Sequence, residues 1–489
     1  MKKRVFTACI IVAIVGLGIF FFSQYKGSGS TDTIYLDQNA LELENDIPKE
    51  LQDLPYVIYP TDVDYDTVRF NFNKRFNIFP HAIITPRTNQ EAATALKLLK
   101  KYNVEFSIRS GGHCYEPGSL SSGYIFDLRN FNAISPDIKN SQVSLGAGCR
   151  LGDVIETLGK IDFAIPTGTC PSVCVGGLTL GGGSGVLVRP FGLTCDSVKS
   201  ITLLNANAEI VEVDANNYPD LFWALLGAGN GSYGIVLGFT FQMHAIPSVS
   251  YCDFTWEWDP KTVSQIIQTW QAWIQKQPDS ISSQLRINYS LEKTEVGISA
   301  LKVGSEPFTE WESDFNPLKP TITKFTGRYI DSSQYWSGSP PFPFFKMKSK
   351  ILMQPLSPDA IDATISYFET LRKDKAKQNV LFDFDAFGSK VSEKNTAFYP
   401  RKAFGWWYQS MYWDFEKETA QALSYSRNFY SEISKYVSKY CYANTVDYDL
   451  GKDYLDAYYG DNVDKLIEIK KKYDPNNVFH WEQSIPVSL

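Results

Sequence analysis

Histidine is scarce in this chain: 489 residues contain four, at His81, His113, His244 and His480. None belongs to an HExxH pair or to a CxxC…HxxxH set, so no metal site is expected. The eight cysteines are scattered, with Cys170 and Cys174 the nearest pair, and do not make a disulfide framework. Clusters of basic residues are missing too. Lys plus Arg is 47 and Asp plus Glu is 54, a net charge of −7, which argues against a nucleic-acid partner. No G-x-G-x-x-G joins a first strand to its helix and there is no Walker A sequence, which excludes Rossmann and P-loop nucleotide sites. Internal repeats and low-complexity stretches are absent as well. What remains is an ordinary globular composition, 44% hydrophobic and 21% charged, long enough for two or three domains. Aromatic residues reach 15%. Most of them belong in cores, and the rest suit a large planar ligand or a carbohydrate.

The N-terminus carries Met1-Lys2-Lys3-Arg4 and then an uncharged, mostly apolar run from Val5 to Phe22. Such a run spans about 27 Å as a helix, just enough for a bilayer core. It predicts a single-pass transmembrane helix with a cytoplasmic N-terminus and the bulk of the chain on the non-cytoplasmic side. Cleavage as a signal peptide, giving a secreted protein, is the rival reading. Lys26-Gly-Ser-Gly-Ser30 then reads as a flexible tether.

The rest is α+β. His81–Thr85 is a short buried strand, Thr88-Asn-Gln-Glu91 is a capping box, and Ala92, Ala95, Leu96 and Leu99 form one apolar helix face. Alternation at Val104, Phe106 and Ile108 makes a strand that runs into Arg109-Ser-Gly-Gly-His113. Glycine is dense up to about residue 245. Beyond it come amphipathic helices (Val263–Lys276, Asp359–Lys373), strands such as Val296–Leu301, and a basic helix at Val463–Tyr473. The chain divides into an anchor and linker (1–30), a glycine-rich domain (50–245), an α/β insert (246–438) and a C-terminal return (439–489).

Three glycine-rich segments carry the chemistry: Arg109–His113, Val175–Gly185 and Gly227–Gly234. Glycines let backbone approach a ligand and turn its amides toward anionic oxygens. Three such segments within one domain point to a phosphate-bearing cofactor, a dinucleotide held by a fold other than Rossmann.

Ile108-Arg-Ser-Gly-Gly-His113-Cys-Tyr-Glu and Gly168-Thr-Cys170-Pro-Ser-Val-Cys-Val-Gly-Gly resemble the berberine bridge enzyme-like family of FAD-linked oxidases, within the vanillyl-alcohol oxidase/PCMH superfamily. Tyr442-Ala-Asn444, Ala457–Gly460, Tyr473–Phe479 and Gln483–Pro486 are similar to it as well, so that the likeness covers roughly residues 70–489. The resemblance implies a PCMH-type FAD-binding domain of two subdomains, completed by residues 439–489. It also implies an α/β substrate domain whose antiparallel sheet lies over the flavin. FAD would be bicovalent, through His113 at the 8α-methyl and Cys170 at C6, with Cys174 a decoy. The implied cofactor contacts are Arg109, Ser110, Gly111, Gly112, Val173, Gly176, Gly177, Gly181, Gly182, Gly234, Val236 and Asn444. Tyr442, with Asp385 behind it, is the implied proton acceptor; Gln409 is the implied residue over the flavin, and Tyr115 an alternative base.

Two residues depart from the family pattern. Leu178 stands where plant-type members have His, and Thr445 where Asn-Tyr is commoner. Val173 leaves room for oxygen, which implies an oxidase that forms H2O2 from O2 while oxidising an alcohol, a carbohydrate first among them. A flavin dehydrogenase with another acceptor and a non-catalytic membrane-tethered flavoprotein are the alternatives. Asn288-Tyr-Ser290 matches an N-glycosylation acceptor.

Overall fold

A computed structural model of the chain describes residues 47–306, 308–338 and 344–489. The expected anchor and linker at 1–30 lie outside the described residues. Among the described residues no helix is long and apolar enough to cross a membrane.

The first sheet has four strands, β1 (Val57–Ile58), β2 (Ala82–Ile84), β3 (Phe106–Arg109) and β4 (Tyr124–Asp127), in the order β1-β2-β4-β3. Strands β2 and β3 both pair parallel to β4. Helix α1 (Asn89–Lys101) makes the crossover and buries Ala92, Ala95, Leu96 and Leu99. Its N-cap is Thr88, whose hydroxyl accepts from the Glu91 amide at 3.1 Å. The Glu91 carboxylate reaches one residue further back than a capping box requires, to the Arg87 amide.

A five-stranded antiparallel sheet follows: β5 (Ile134–Asp137), β6 (Gln142–Gly146), β7 (Val198–Leu204), β8 (Ile210–Asp214) and β9 (Ile235–Gln242), ordered β5-β6-β9-β7-β8. Helices α2 (Leu151–Gly159), α3 (Val175–Leu180) and α4 (Pro219–Ala228) belong to this part of the chain.

The third sheet is antiparallel with seven strands: β10 (Val249–Glu257), β11 (Ile281–Tyr289), β12 (Thr294–Val303), β13 (Thr321–Gly327), β14 (Phe344–Leu352), β15 (Asn379–Ala386) and β16 (Gly405–Trp413). Its order is β13-β10-β12-β11-β15-β16-β14. Helices α5 (Pro260–Ile274), α6 (Pro358–Asp374) and α7 (Thr419–Ile433) cover one face of it, where Phe254, Leu285, Phe382, Trp407 and Trp413 share a core with Trp270, Phe368 and Phe429. Side chains alternate along a strand, so the opposite face carries Asp253, Gln284, Arg286, Asp383, Asp385, Trp406 and Tyr408. That face is the polar one.

The chain then returns. Helix α8 spans Val463–Tyr473, and Leu466, Ile469, Phe479 and Ile485 are buried in the same core as strands β6 to β9. Two bonds tie the return down: the Tyr233 hydroxyl donates to the Leu466 carbonyl at 3.1 Å, and Trp481 Nε1 donates to the Asn230 carbonyl at 2.8 Å.

Candidate active site

A long cleft runs between the first two sheets and the C-terminal return. Its first wall is the turn after β3, where Ser110, Gly111, Gly112 and His113 line the cleft. Gly112 adopts φ +68°, a conformation that glycine permits at little cost. Its carbonyl accepts from the Phe72 amide at 2.7 Å, which holds the turn shut. Val173, Gly176 and Gly177 form the second wall, and Gly234, Val236 and Asn444 contribute to the third. A Cβ at Gly177 would meet no protein atom within 4 Å, so it would enter the cleft itself. Ser107 Oγ, Ser119 Oγ and Asn230 Oδ1 line the cleft, are buried, and have no hydrogen-bond partner in the protein. Unpaired buried polar atoms are costly, and a ligand rich in donors and acceptors satisfies them. The cleft therefore fits FAD.

Three expected cofactor contacts lie elsewhere. Arg109 turns inward, its Nε 2.5 Å from Asp127 Oδ2, because the register of β3 against β4 sets the two residues side by side. A Cβ at Gly181 would strike the Asn444 side chain, and one at Gly182 the Phe398 ring. Those two glycines make room for packing and do not line the cleft. Conversely, Val478, Phe479, His480 and Trp481 of the return do line it. Val478 and Phe479 end the Tyr473–Phe479 motif, to which no such role was given, and His480 and Trp481 fall outside every named motif.

His113 is half-buried and stacks on Phe72, ring centroids 4.2 Å apart and 24° from parallel. Burial, helped by the Arg150 charge, pulls its imidazole down to about 4, so it is neutral at physiological pH. A neutral imidazole is the nucleophilic form. Cys170 lines the adjoining cavity. Cys174 is held back: its thiol donates to the Gly148 carbonyl at 3.1 Å, and burial pushes it up to about 11.

That second cavity shares Tyr115, Val173, Leu178 and Asn444 with the cleft, and the polar face of the large sheet roofs it. The Tyr442 hydroxyl is inside, accepting from the Gly183 amide at 2.8 Å and from Asn444 Nδ2 at 3.0 Å. Two N–H donors favour the phenolate, while burial opposes it and holds the phenol above its ordinary range. Asp385 lines the cavity and sits directly across from Trp406 in the sheet. The carboxyl that faces a tyrosine is a different one, Asp383, which pairs with Tyr408 across β15 and β16. Burial raises Asp383 to about 7 against the pull of Arg286, and raises Asp385 to about 8 with help from the Asp383 charge.

Gln409 is a correction. It is fully buried on the helix side of the sheet, where its amide donates to the Tyr367 hydroxyl and its carbonyl accepts from Ser426 Oγ at 3.0 Å. A shift of one residue reverses the face of a strand, so the side chain presented to the cavity is Tyr408. In the sequence Tyr408 reads only as a stacking face for a sugar, and Asp383 carries no signal of its own.

Glycine-built walls around a cleft, opening on a second cavity beneath an antiparallel sheet, define a flavin-dependent oxidoreductase. The chain belongs to the berberine bridge enzyme-like family of FAD-linked oxidoreductases. The family model "FAD binding domain" matches residues 80–214, and "Berberine and berberine like" matches 441–486. An uncharacterized FAD-linked oxidoreductase of Bacillus subtilis (strain 168), YgaK, is 32% identical over 446 residues, covering 88% of this chain and 96% of the relative. A monolignol oxidoreductase of Arabidopsis thaliana is 26% identical over 459 residues, covering 84% of each chain. The solved structure of Physcomitrella patens BBE-like 1 superposes with a TM-score of 0.78 at 27% identity, covering 88% of this chain and 97% of that one.

Proposed function

We propose that this FAD-dependent oxidoreductase is an oxidase of CH–OH donors, with FAD attached through His113 and Cys170. The observation that carries the reading is the shared wall: Tyr115, Val173 and Asn444 border both the cofactor cleft and the second cavity, so a donor in the cavity abuts the cofactor. The name of the Arabidopsis relative, a monolignol oxidoreductase, supports an alcohol as donor. When bound, FAD supplies the acceptor for the hydride leaving carbon and passes the electrons to O2, giving H2O2.

The protein's own task is the proton. As the alcohol becomes a carbonyl its hydroxyl proton must be accepted, and a base works best with a pKa near the working pH. A buried phenol lies too high to serve alone. Asp383, at about 7, lies in range, and it faces the Tyr408 hydroxyl. Tyr408 Oη takes the substrate proton as it gives its own to the Asp383 carboxylate. Tyr442, its oxygen already accepting two hydrogen bonds, orients the donor. Val5–Phe22 supports a membrane tether for the whole protein.

Purified protein is expected to be yellow, with the colour staying on the acid-precipitated chain. Anaerobic mixing with a panel of alcohols, saccharides and aryl alcohols should bleach it with at least one donor class, and air should restore the colour with release of H2O2. Colourless protein, or a flavin that no alcohol reduces, would overturn the reading. Reduction followed by no reaction with air would replace O2 by another acceptor.

A further inference from the structure

We infer that the donor oxidised in the second cavity carries a positive charge: it is an alcohol bearing an ammonium group, such as an amino alcohol or amino sugar. The inference rests on reading that cavity as the substrate site.

The charges around the cavity do not balance. Among the described residues lining the cavity, Asp385 is the sole charged side chain, and no Lys or Arg is present. Behind Asp385, on the same face of the sheet, lie Asp383 on β15, Asp253 on β10 and a single cation, Arg286 on β11. That cation is committed: Arg286 Nη2 is 2.6 Å from Asp253 Oδ1, and Nη1 donates to Ser299 Oγ at 3.1 Å. Asp253 also accepts from the Tyr251 hydroxyl at 3.2 Å. Asp383 is 1% exposed, and its Oδ1 has no hydrogen-bond partner. Three carboxyls thus share one cation, and the two carboxyls nearest the cavity feel it only at a distance, with no ion pair of their own.

An uncompensated buried carboxylate is expensive, and an asparagine would have avoided the cost. A cation brought by a ligand resolves the imbalance. The raised titration of Asp383 and Asp385 is the other side of the same deficit, and a cation that enters displaces the Asp385 proton to solvent.

Two independent features of the wall agree. Tyr115, Tyr251, Trp406, Tyr408 and Tyr442 present aromatic rings, which attract alkylammonium groups through their faces. Ser282 is 4% exposed, lines the cavity, and its Oγ has no partner, so the ligand also brings a polar group for it.

The test compares choline with its uncharged carbon isostere, 3,3-dimethyl-1-butanol, which differ in shape very little and in charge by one. Each is titrated into the oxidised holoprotein at mildly alkaline pH, with binding followed by the shift of the bound flavin's absorbance bands. Choline is expected to bind at least about tenfold more tightly, about 1.4 kcal/mol. The advantage should be lost in Asp385→Asn and reduced in Asp383→Asn. Equal or tighter binding of the isostere, a preference that survives Asp385→Asn, or no binding of either probe would overturn the proposal. Binding is read from the band shift on rapid mixing, before any bleaching, so failure of the oxidase reading shows separately, as a flavin that no alcohol reduces.

Discussion

Lys470 makes the sharpest test of how the cofactor cleft is held open. The side chain is fully buried, and its ammonium donates to Asp474 Oδ2 at 2.6 Å, the Ser232 carbonyl at 2.7 Å and the Phe479 carbonyl at 2.6 Å. Asp474 is equally buried and accepts in turn from the amides of Val478 and Phe479, at 2.8 and 2.9 Å. The Asn230–Gly234 loop and the Val478–Trp481 segment both line the cleft, and this one ammonium joins them. Lys470→Met keeps much of the volume and removes the charge. It leaves Asp474 as a buried, uncompensated carboxylate, and breaking such a pair costs about 3–5 kcal/mol. Against a total stability of about 5–15 kcal/mol that is a large fraction. Urea unfolding should show a lower midpoint with an unchanged slope, and the yield of flavin-loaded protein should fall because two walls of the cleft lose their common anchor. The double variant Lys470→Met/Asp474→Asn removes the stranded charge and should recover part of the loss. A single variant within about 1 kcal/mol of the parent, or a double variant no better than the sum of the singles, would refute the reasoning.

Gln409→Leu should leave flavin reduction at the parent rate, since the side chain faces the helices, while stranding the Tyr367 and Ser426 hydroxyls at about 1–3 kcal/mol in a urea melt. Cys170→Ala should leave flavin attached through His113 alone and Cys174→Ala should leave both links intact; peptide mapping that finds flavin on Cys174 would reverse the assignment. Asp383 titrates near 7 in the folded protein, above the unfolded carboxyl, so the folded state holds the extra proton. Its contribution to stability is full below about pH 4 and is lost as pH rises toward about 7. Asp385, raised to about 8, adds to the same slope, so Asp383→Asn should make it shallower in urea midpoints taken across the window and Asp383→Asn/Asp385→Asn should flatten it; a slope unchanged in the double variant would place the titrating groups elsewhere. Tyr408→Phe removes one oxygen and should slow anaerobic flavin reduction about 10²–10⁴-fold with flavin content intact; a near-parent rate would move the base to Tyr442.

The parts of the fold that were legible are those with one-sided patterns. Helix Val463–Tyr473 has a single apolar stripe and came out with its ends in place. The glycine turns identified the cleft because a missing side chain is visible in sequence. Strand β16 was not legible, and the reason is physical. It carries Trp406, Trp407, Tyr408, Tyr412 and Trp413, so both faces are aromatic and the period of two has no contrast to mark the inward side. The misplacement of Gln409 follows directly. Arg109 misled for a different reason. The resemblance implied it as a cofactor contact, but the register with β4 sets Asp127 beside it, and that register belongs to a pairing between strands. Asp383 differs from Asp385 in sequence by nothing that marks which one meets a tyrosine.

No Lys or Arg lines either cavity among the described residues, yet buried cations surround both. Each joins segments far apart in the chain. Arg189 donates to the carbonyls of Ile281 and Phe387 at 2.7 Å, and to that of Gln277 at 2.9 Å, fastening the short helix Val188–Phe191 to the large sheet. Lys346 on β14 meets Glu116, three residues past His113, and Asp447, three past Asn444. Lys348 adds a second bond to Asp447 at 2.7 Å. Buried ion pairs add little net stability over well-packed apolar residues, because desolvation offsets their attraction. What they do supply is a penalty for every arrangement that leaves one of them unpaired. In this chain that penalty falls on any misplacement of the His113 turn, the Asn444 segment or the sheet above them, the three pieces that must meet where cofactor and donor react. The cations therefore stand behind the walls, fixing their positions, and leave the cavity itself to carboxyl and phenol groups.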